Sequence, residues 1–346
     1  MRVLHVLGSF NNGGVENLLI NLTKQQVRQG LDVGLMIVTN SMSAQMLNAL
    51  DPQVKLLYVN KPVGNHNPFY LFKLNWMYHS FGPDILHLHS PYSIPYFFSF
   101  GRREKRFVHV HNNEDTYSFN SSINRYFAIS KTVYDAYHHQ IDNDLCTICY
   151  NGVDFSLINE KTDYSKKPNR FVQVGRLLID TKGQDLTLNA FEIMIKEGAD
   201  LFLEFWGDGP DKTVLCEMVR EKGLDSRVKV VGDVDNKYVK QHLQDFDAAI
   251  FSSRYEGFGI AATEAMGVGL PVVLSNIDAH LEISDKGKMA TLFEMNNYLS
   301  LTESLKYVID HYSKVCEIAN STKKIVRTKY SIEEMSKHLL WYYKIY

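Results

Sequence analysis

A chain of 346 residues is too long for one ordinary hydrophobic core and fits two α/β domains of typical size. Hydrophobic residues make up 45% and charged residues 22%, which excludes the low-hydrophobicity profile of a disordered chain. A formal net charge of −2 argues against nucleic acid as a partner, since binding a phosphate backbone needs an excess of Lys and Arg, but it leaves room for a small anionic ligand.

In chain order, residues 2–7 read as a buried strand rather than a signal peptide, because the apolar run is too short and no small-residue cleavage site follows. A Gly- and Asn-rich loop, 8–14, leads into a helix whose Val15, Leu18, Leu19, Leu22 and Val27 share one face and which Gly30 ends. A second strand over 31–39 completes a βαβ unit. Apolar runs at 54–59, 84–89, 106–111, 126–130 and 145–150 extend the same alternation, so the first half predicts a doubly wound domain. Residues 159–169 turn polar and predict the linker. The pattern then restarts with strands over 170–174, 201–206, 228–231, 248–252 and 271–274, and helices over 184–196 and from about 211. Residues 332–346 are helical in pattern. No stretch approaches the roughly 20 apolar residues of a spanning helix, and a cytoplasmic location is expected. The domains are therefore predicted as 1–160, 161–330 and a C-terminal helix, 331–346, packing back towards the first domain.

Several residues carry chemistry. The segment from Ser253 to Met266 follows a strand and opens a helix, and its glycines free backbone amides at the helix N-terminus for anionic or polyhydroxyl ligands. Glu256 and Glu264 could accept hydrogen bonds from two parts of one ligand. On the carboxylates alone, a solvated Glu256 and a Glu264 that stabilises the helix dipole serve equally well. Arg176 and Lys182 lie between a strand end and a helix start, at the carboxyl edge of a parallel sheet where such folds bind ligands. A guanidinium, an ammonium and helix-terminal amides there can stabilise a departing diphosphate without a metal.

Alternation puts His109 and His111 on one face of their strand, and His87 and His89 on one face of another. A four-histidine metal site is conceivable, but no carboxylate accompanies it and a structural or cleft-lining role is expected. Cys146 and Cys149 imitate a metal or redox pair, yet strand alternation separates them and Cys216 and Cys316 are isolated, so four reduced structural thiols are expected. Asp233-Val234-Asp235 and Asp245-Phe246-Asp247 imitate a metal-binding Asp-x-Asp pair but lie in a turn and before a strand. The stretch 92–106 sets Tyr92, Tyr96, Phe97, Phe98 and Phe100 beside Arg102, Arg103, Lys105 and Arg106, a composition suited either to a membrane interface or to a core helix with a solvated basic loop.

The segment from Glu256 to Glu264, continued by Ala265-Met266-Gly267-Val268-Gly269-Leu270-Pro271-Val272-Val273, resembles the signature of the family-4 retaining glycosyltransferases. So do Gly13-Gly14-Val15-Glu16, Asn151-Gly152-Val153-Asp154, Val174-Gly175-Arg176-Leu177 with Lys182-Gly183, and Gly207-Asp208-Gly209-Pro210, in order and spacing over essentially the whole chain. The resemblance implies the GT-B fold, two Rossmann-like domains facing a central cleft, and a metal-independent, retaining, hexosyltransferase-type enzyme. Its donor would be a nucleotide diphosphate sugar, expected to be UDP-linked. It further implies that Glu264 binds the ribose and Glu256 the transferred sugar, with Gly257, Phe258, Gly259 and Ile260 helping to hold it. Arg176 and Lys182 would meet the diphosphate beside Gly207, Gly14 would approach the phosphates, and His111 would stand near the reacting centre. The opening and the run 106–112 look most like members that build bacterial capsular or exopolysaccharide repeat units. The implied acceptor is a glycan or lipid-linked oligosaccharide, with peripheral contact to the inner membrane face through 92–106. A sugar-nucleotide epimerase of the same fold and a non-catalytic sugar-nucleotide or polysaccharide-binding subunit are the alternatives. The first loop lacks the Gly-x-Gly-x-x-Gly spacing of an NAD site.

Overall fold

The computed structural model describes residues 1–346 except 99–103, 113–119, 121, 140–142 and 165–166. The chain divides into two compact units, Met1–Val153 with Ile332–Tyr346, and Asp154–Ser331.

In the first unit a seven-stranded sheet holds β1 (Arg2–Leu7), β2 (Asp32–Thr39), β3 (Lys55–Lys61), β4 (Ile85–Leu88), β5 (Lys105–Val110), β6 (Arg125–Ala128) and β7 (Cys146–Ile148), in the order β3-β2-β1-β4-β5-β6-β7. All its pairings are parallel. Both faces are covered, so the strands read as near-continuous apolar runs, with Val3, Leu4 and Val6 buried on β1 and Phe107, Val108 and Val110 on β5. The order reverses between β1 and β4. The loops that leave the carboxyl ends of those two strands therefore flank a crevice of the kind in which such sheets bind ligands.

Helix Gly14–Arg28 covers one face, and Gly30, at φ +80, turns the chain into β2. Helix Ile332–Ile345, last in sequence, joins the same layer: Ile332 donates to the Val153 carbonyl at 2.9 Å, and Met335, Leu339, Tyr342 and Tyr343 bury against a cluster with Val3, Leu18, Ile85, Phe107 and Phe127.

The second unit repeats the plan with β8 (Arg170–Val174), β9 (Phe202–Trp206), β10 (Val228–Gly232), β11 (Ala248–Phe251), β12 (Val272–Ser275) and β13 (Thr291–Phe293), in the order β10-β9-β8-β11-β12-β13. Its reversal falls between β8 and β11, and Phe171, Phe191, Leu203, Phe205, Ile250 and Leu301 are among the residues of its core.

The linker expected over 159–169 is corrected. Lys161 is buried inside the second unit, its ammonium donating to the carbonyls of Phe246 at 2.7 Å and Gln244 at 3.1 Å, and Glu160 pairs with Lys323 and Arg327, each at 2.9 Å. Glu160 and Lys161 thus serve ion pairs and carbonyl caps within one unit. The division falls instead after Val153 and again after Ser331.

Candidate functional site

The loops after β8 and β11 meet because small side chains and glycines let their backbones touch. Gly183, at φ +64, lies so near the Ser252 carbonyl that an added Cβ would stand 2.0 Å from its oxygen. Ser252 Oγ donates to the Gly183 carbonyl at 2.6 Å, and Gln173 Nε2 donates to the Lys182 carbonyl at 2.9 Å. Beside them Gly207, at φ +139, leaves no room for a side chain against the Gly175 carbonyl, where a Cβ would again be 2.0 Å away. Arg254 reaches back across the joint with a bidentate pair to Asp185, at 2.9 and 2.7 Å, and donates to the Ile179 carbonyl at 2.7 Å.

On this platform Lys182 and Glu256 form a half-buried ion pair at 2.6 Å, with Ser253 Oγ donating to the same carboxylate oxygen at 2.8 Å. Burial pushes the Glu256 carboxyl up, but the Lys182 charge, His280 and the two hydrogen bonds outweigh it and hold the group below the usual carboxylate range. Arg176 is exposed on the loop after β8, and its guanidinium has no ion-pair partner among the described residues. The side chains expected to meet a diphosphate thus comprise one cation held by Glu256 and one facing solvent.

Helix Ile260–Val268 starts at Gly259, whose φ of +92 admits the sharp turn out of the loop. Its first residue, Ile260, and the preceding Gly257 are partly exposed, whereas the Phe258 ring is buried edge-on against Tyr330 with centroids 5.3 Å apart. Glu264 lies one turn into this helix. Burial pushes its carboxyl up, Lys240 pulls it down and Asp154 pushes it further up, with a net rise above the usual range. A carboxylate held in this way gains most from ligand hydroxyls that donate to it.

His280 was not foreseen as part of this site. It is fully buried on helix Asp278–Ile283 and makes contact through Nδ1 with Ser275, while its Nε2 has no partner among the described residues and its ring lies 3.5 Å from where a Gly259 Cβ would be. Burial lowers its pKa to about 4, against the pull of Glu256. The available signal was its place after β12, the strand beside β11.

Gly14 and His111 belong to the first unit. Gly14 is the exposed first residue of helix Gly14–Arg28, and His111 follows the carboxyl end of β5. His87, His89, His109 and His5 of β1 crowd behind it on one sheet face, and nitrogens of His87, His89 and His109 lie within 4.8 Å of one another. Their rings lie nearly parallel, at interplanar angles of 4°, 7° and 8°.

Other residues singled out in the sequence serve the fold. Asp235 caps helix Asn236–His242, Asp247 accepts from the amides of Asn169 and Arg170, and Asp245 pairs with His242. Cys146 and Cys149 are free and buried, and burial raises both thiols, that of Cys146 to about 11. In the stretch 92–106, Tyr92, Tyr96 and Phe98 are exposed, but Phe97 is buried and Arg106 is a buried partner of Glu104 at 2.7 Å, so Arg106 is no free surface cation. Phe100, Arg102 and Arg103 lie outside the described residues.

Two sequence families match: glycosyl transferases group 1 over residues 154–326, and glycosyltransferase family 4 over residues 12–157. The O-antigen biosynthesis glycosyltransferase WclY of Escherichia coli is 29% identical over 180 residues, covering 50% of this chain and 49% of that protein. The putative glycosyltransferase EpsF of Bacillus subtilis is 23% identical over 306 residues, covering 80% of this chain and 79% of the other. The first of these matches thus spans about half the length of its relative. Among solved structures, Anabaena Alr3699/HepE in complex with UDP and glucose superposes with a TM-score of 0.81 at 18% identity, over 99% of this chain and 98% of that one. At that identity the likeness establishes the fold, two parallel-sheet α/β domains of the GT-B type.

Proposed function

The chain belongs to the group 1 and family 4 glycosyltransferases, and from that premise we propose that it moves a sugar from a UDP-linked donor, with retention, to a hydroxyl of a glycan or lipid-linked oligosaccharide in bacterial surface polysaccharide synthesis. The observation that carries this reading is the joining of Lys182, Glu256 and Ser253 at the switch point of the second sheet, with Glu264 on the helix that begins there. In the proposed reaction the bond from the anomeric carbon to the diphosphate oxygen breaks, a bond from the acceptor oxygen forms, and the acceptor proton leaves with the products. Arg176 and Lys182 supply the positive charge that the departing diphosphate needs, and Glu256 and Glu264 accept from sugar and ribose hydroxyls. Gly207 keeps its loop close beside them. No divalent metal has a role in this scheme.

Nucleotide sugars screened by thermal shift should single out the UDP donor, since a ligand at about 100 times its dissociation constant stabilises by about 2.7 kcal/mol. Radiolabelled sugar should then pass to an acceptor, with EDTA leaving the rate unchanged. Release of an epimerised nucleotide sugar without acceptor would replace this reading with an epimerase, binding without turnover would leave a binding subunit, and loss of activity to EDTA restored by manganese would end metal independence.

Contact with an anionic membrane face is part of the proposal, with its centre moved from 92–106 to helix Phe69–Phe81. Phe69, Phe72 and Trp76 project from that helix at 62%, 73% and 70% exposure. Their spacing puts them on one stripe. Asn75 bonds the Tyr96 carbonyl and the Phe98 amide, which brings exposed Tyr92, Tyr96 and Phe98 alongside. Between residues 52 and 98 the one carboxylate is Asp84, and it is engaged by the Arg2 amide at 2.7 Å. Exposed aromatics on a surface poor in carboxylates suit a lipid interface carrying negative charge.

A further inference from the structure

The buried histidines of the first unit are linked into two strings. One runs from Gln26 Oε1 to His5 Nε2 at 2.8 Å, from His5 Nδ1 to His89 Nε2 at 3.0 Å, and from His89 Nδ1 to His111 Nε2 at 3.2 Å. The other joins the Tyr343 hydroxyl to His87 Nδ1, and His87 Nε2 to His109 Nδ1 at 2.8 Å. His109 Nε2 and Gln26 Nε2 are buried and make no hydrogen bond to the described residues.

The Gln26 side-chain oxygen only accepts, and that fixes the direction of the string that ends at His111. His5 donates to it from Nε2 and accepts at Nδ1 from His89 Nε2–H, and His89 Nδ1 in turn accepts from His111 Nε2–H. The last atom, His111 Nδ1, is left with a lone pair, and it is buried with no partner among the described residues. One proton per imidazole is what this arrangement needs. Burial keeps all five below the ordinary histidine range, His5 and His111 at about 4.

We infer that Gln26, His5 and His89 are positioning residues that lock His111 in the Nε2–H tautomer, so that its Nδ1 accepts a hydrogen bond from a hydroxyl of the substrate. A lone pair there takes a sugar hydroxyl and repels a phosphate oxygen, which assigns His111 to the sugar rather than the diphosphate. The role of that hydroxyl rests on the glycosyl-transfer reading; the tautomer does not.

Histidine 15N–1H correlation spectra of the full chain near neutral pH, assigned through His111→Gln and His89→Gln, give the test. His5, His89 and His111 should each show a protonated Nε2 and a bare Nδ1. Gln26→Met should mix the His111 tautomers and lower kcat by about 10-fold through lost orientation, with UDP affinity unchanged. A proton on His111 Nδ1 in the wild-type protein overturns the inference. So does Gln26→Met with unchanged tautomers and kcat, or stoichiometric Zn²⁺ that shifts His87, His89 and His109 together. If no nucleotide sugar is turned over, the wild-type spectrum still decides the tautomer, and the glycosyl-transfer reading alone falls.

Discussion

Glu256 and Glu264 occupy opposite electrostatic settings, one carboxyl held down by Lys182 and the other pushed up by burial. Their variants should therefore fail in different ways. If Glu264 accepts from nucleotide hydroxyls as proposed, Glu264→Ala should weaken UDP by about 10- to 100-fold, the range for hydrogen bonds to a charged group. Glu256→Gln frees Lys182 and should keep UDP affinity while lowering turnover by about 10²-fold, if it orients the transferred sugar. Calorimetric titration with UDP beside steady-state rates separates the two, and equal loss of UDP affinity would show that the roles are not divided. Both glutamates were legible in the sequence because glycines punctuate the loop around them. The partner of Glu256 was not, since Lys182 is 74 residues away and only the pairing of β8 with β11 brings their loops together.

Histidine burial at this scale also sets a pH limit on the first unit. An unfolded histidine titrates near 6.5 and His5 in the fold at about 4. Between those values the unfolded chain binds the proton and the folded one does not, so stability is complete above 6.5 and falls as pH drops towards 4. The full difference is about 3 kcal/mol for one such group. Urea midpoints for the first unit should therefore be clearly lower at about pH 5 than at about pH 7.5. Midpoints that do not move would mean that water or a rearranged string solvates these imidazoles.

Among the elements, helix Phe69–Phe81 is apolar on two sides. Leu74 and Tyr78 bury one side, while Phe69, Phe72 and Trp76 leave large apolar rings in water on the other. A helix apolar on both sides is usually wholly buried, and patches of this kind mark interaction surfaces. Replacing Phe72 and Trp76 with Ser should abolish co-sedimentation with anionic liposomes and leave secondary structure intact, because neither ring supports the core. Unchanged sedimentation would hand the patch to another occupant. Sequence reading centred the expected membrane contact on 92–106, drawn by the basic run near Arg106. Its guanidinium pairs with Glu104 and donates to the Phe97 carbonyl, contacts that no local pattern announces. The platform of the second unit was easier to foresee, since Gly175, Gly183, Gly207 and Gly259 all adopt positive φ and mark where backbones must turn or touch.

For the whole molecule, the alternation of strands and helices made two parallel-sheet domains legible, but the boundary was not. Polar composition at 159–169 looked like a solvated connection, whereas its ion pairs close one edge of the second unit. Helix Ile332–Ile345 shows how far sequence order and unit membership can diverge. It supplies Ile332, Met335, Leu339, Tyr342 and Tyr343 to the first core, and Tyr343 also bonds His87. Burying large apolar side chains contributes about 1.5 to 3 kcal/mol each, so losing this set approaches the 5 to 15 kcal/mol that typically holds a domain together. A chain ending at Ser331 should therefore exchange backbone amides rapidly throughout 1–153, while β8 to β13 stay protected and thermal shift by UDP persists through the second unit. Protection of β1, β4 and β5 in that truncated chain would show that helix Gly14–Arg28 and the far face of the sheet sustain the first unit without its C-terminal helix.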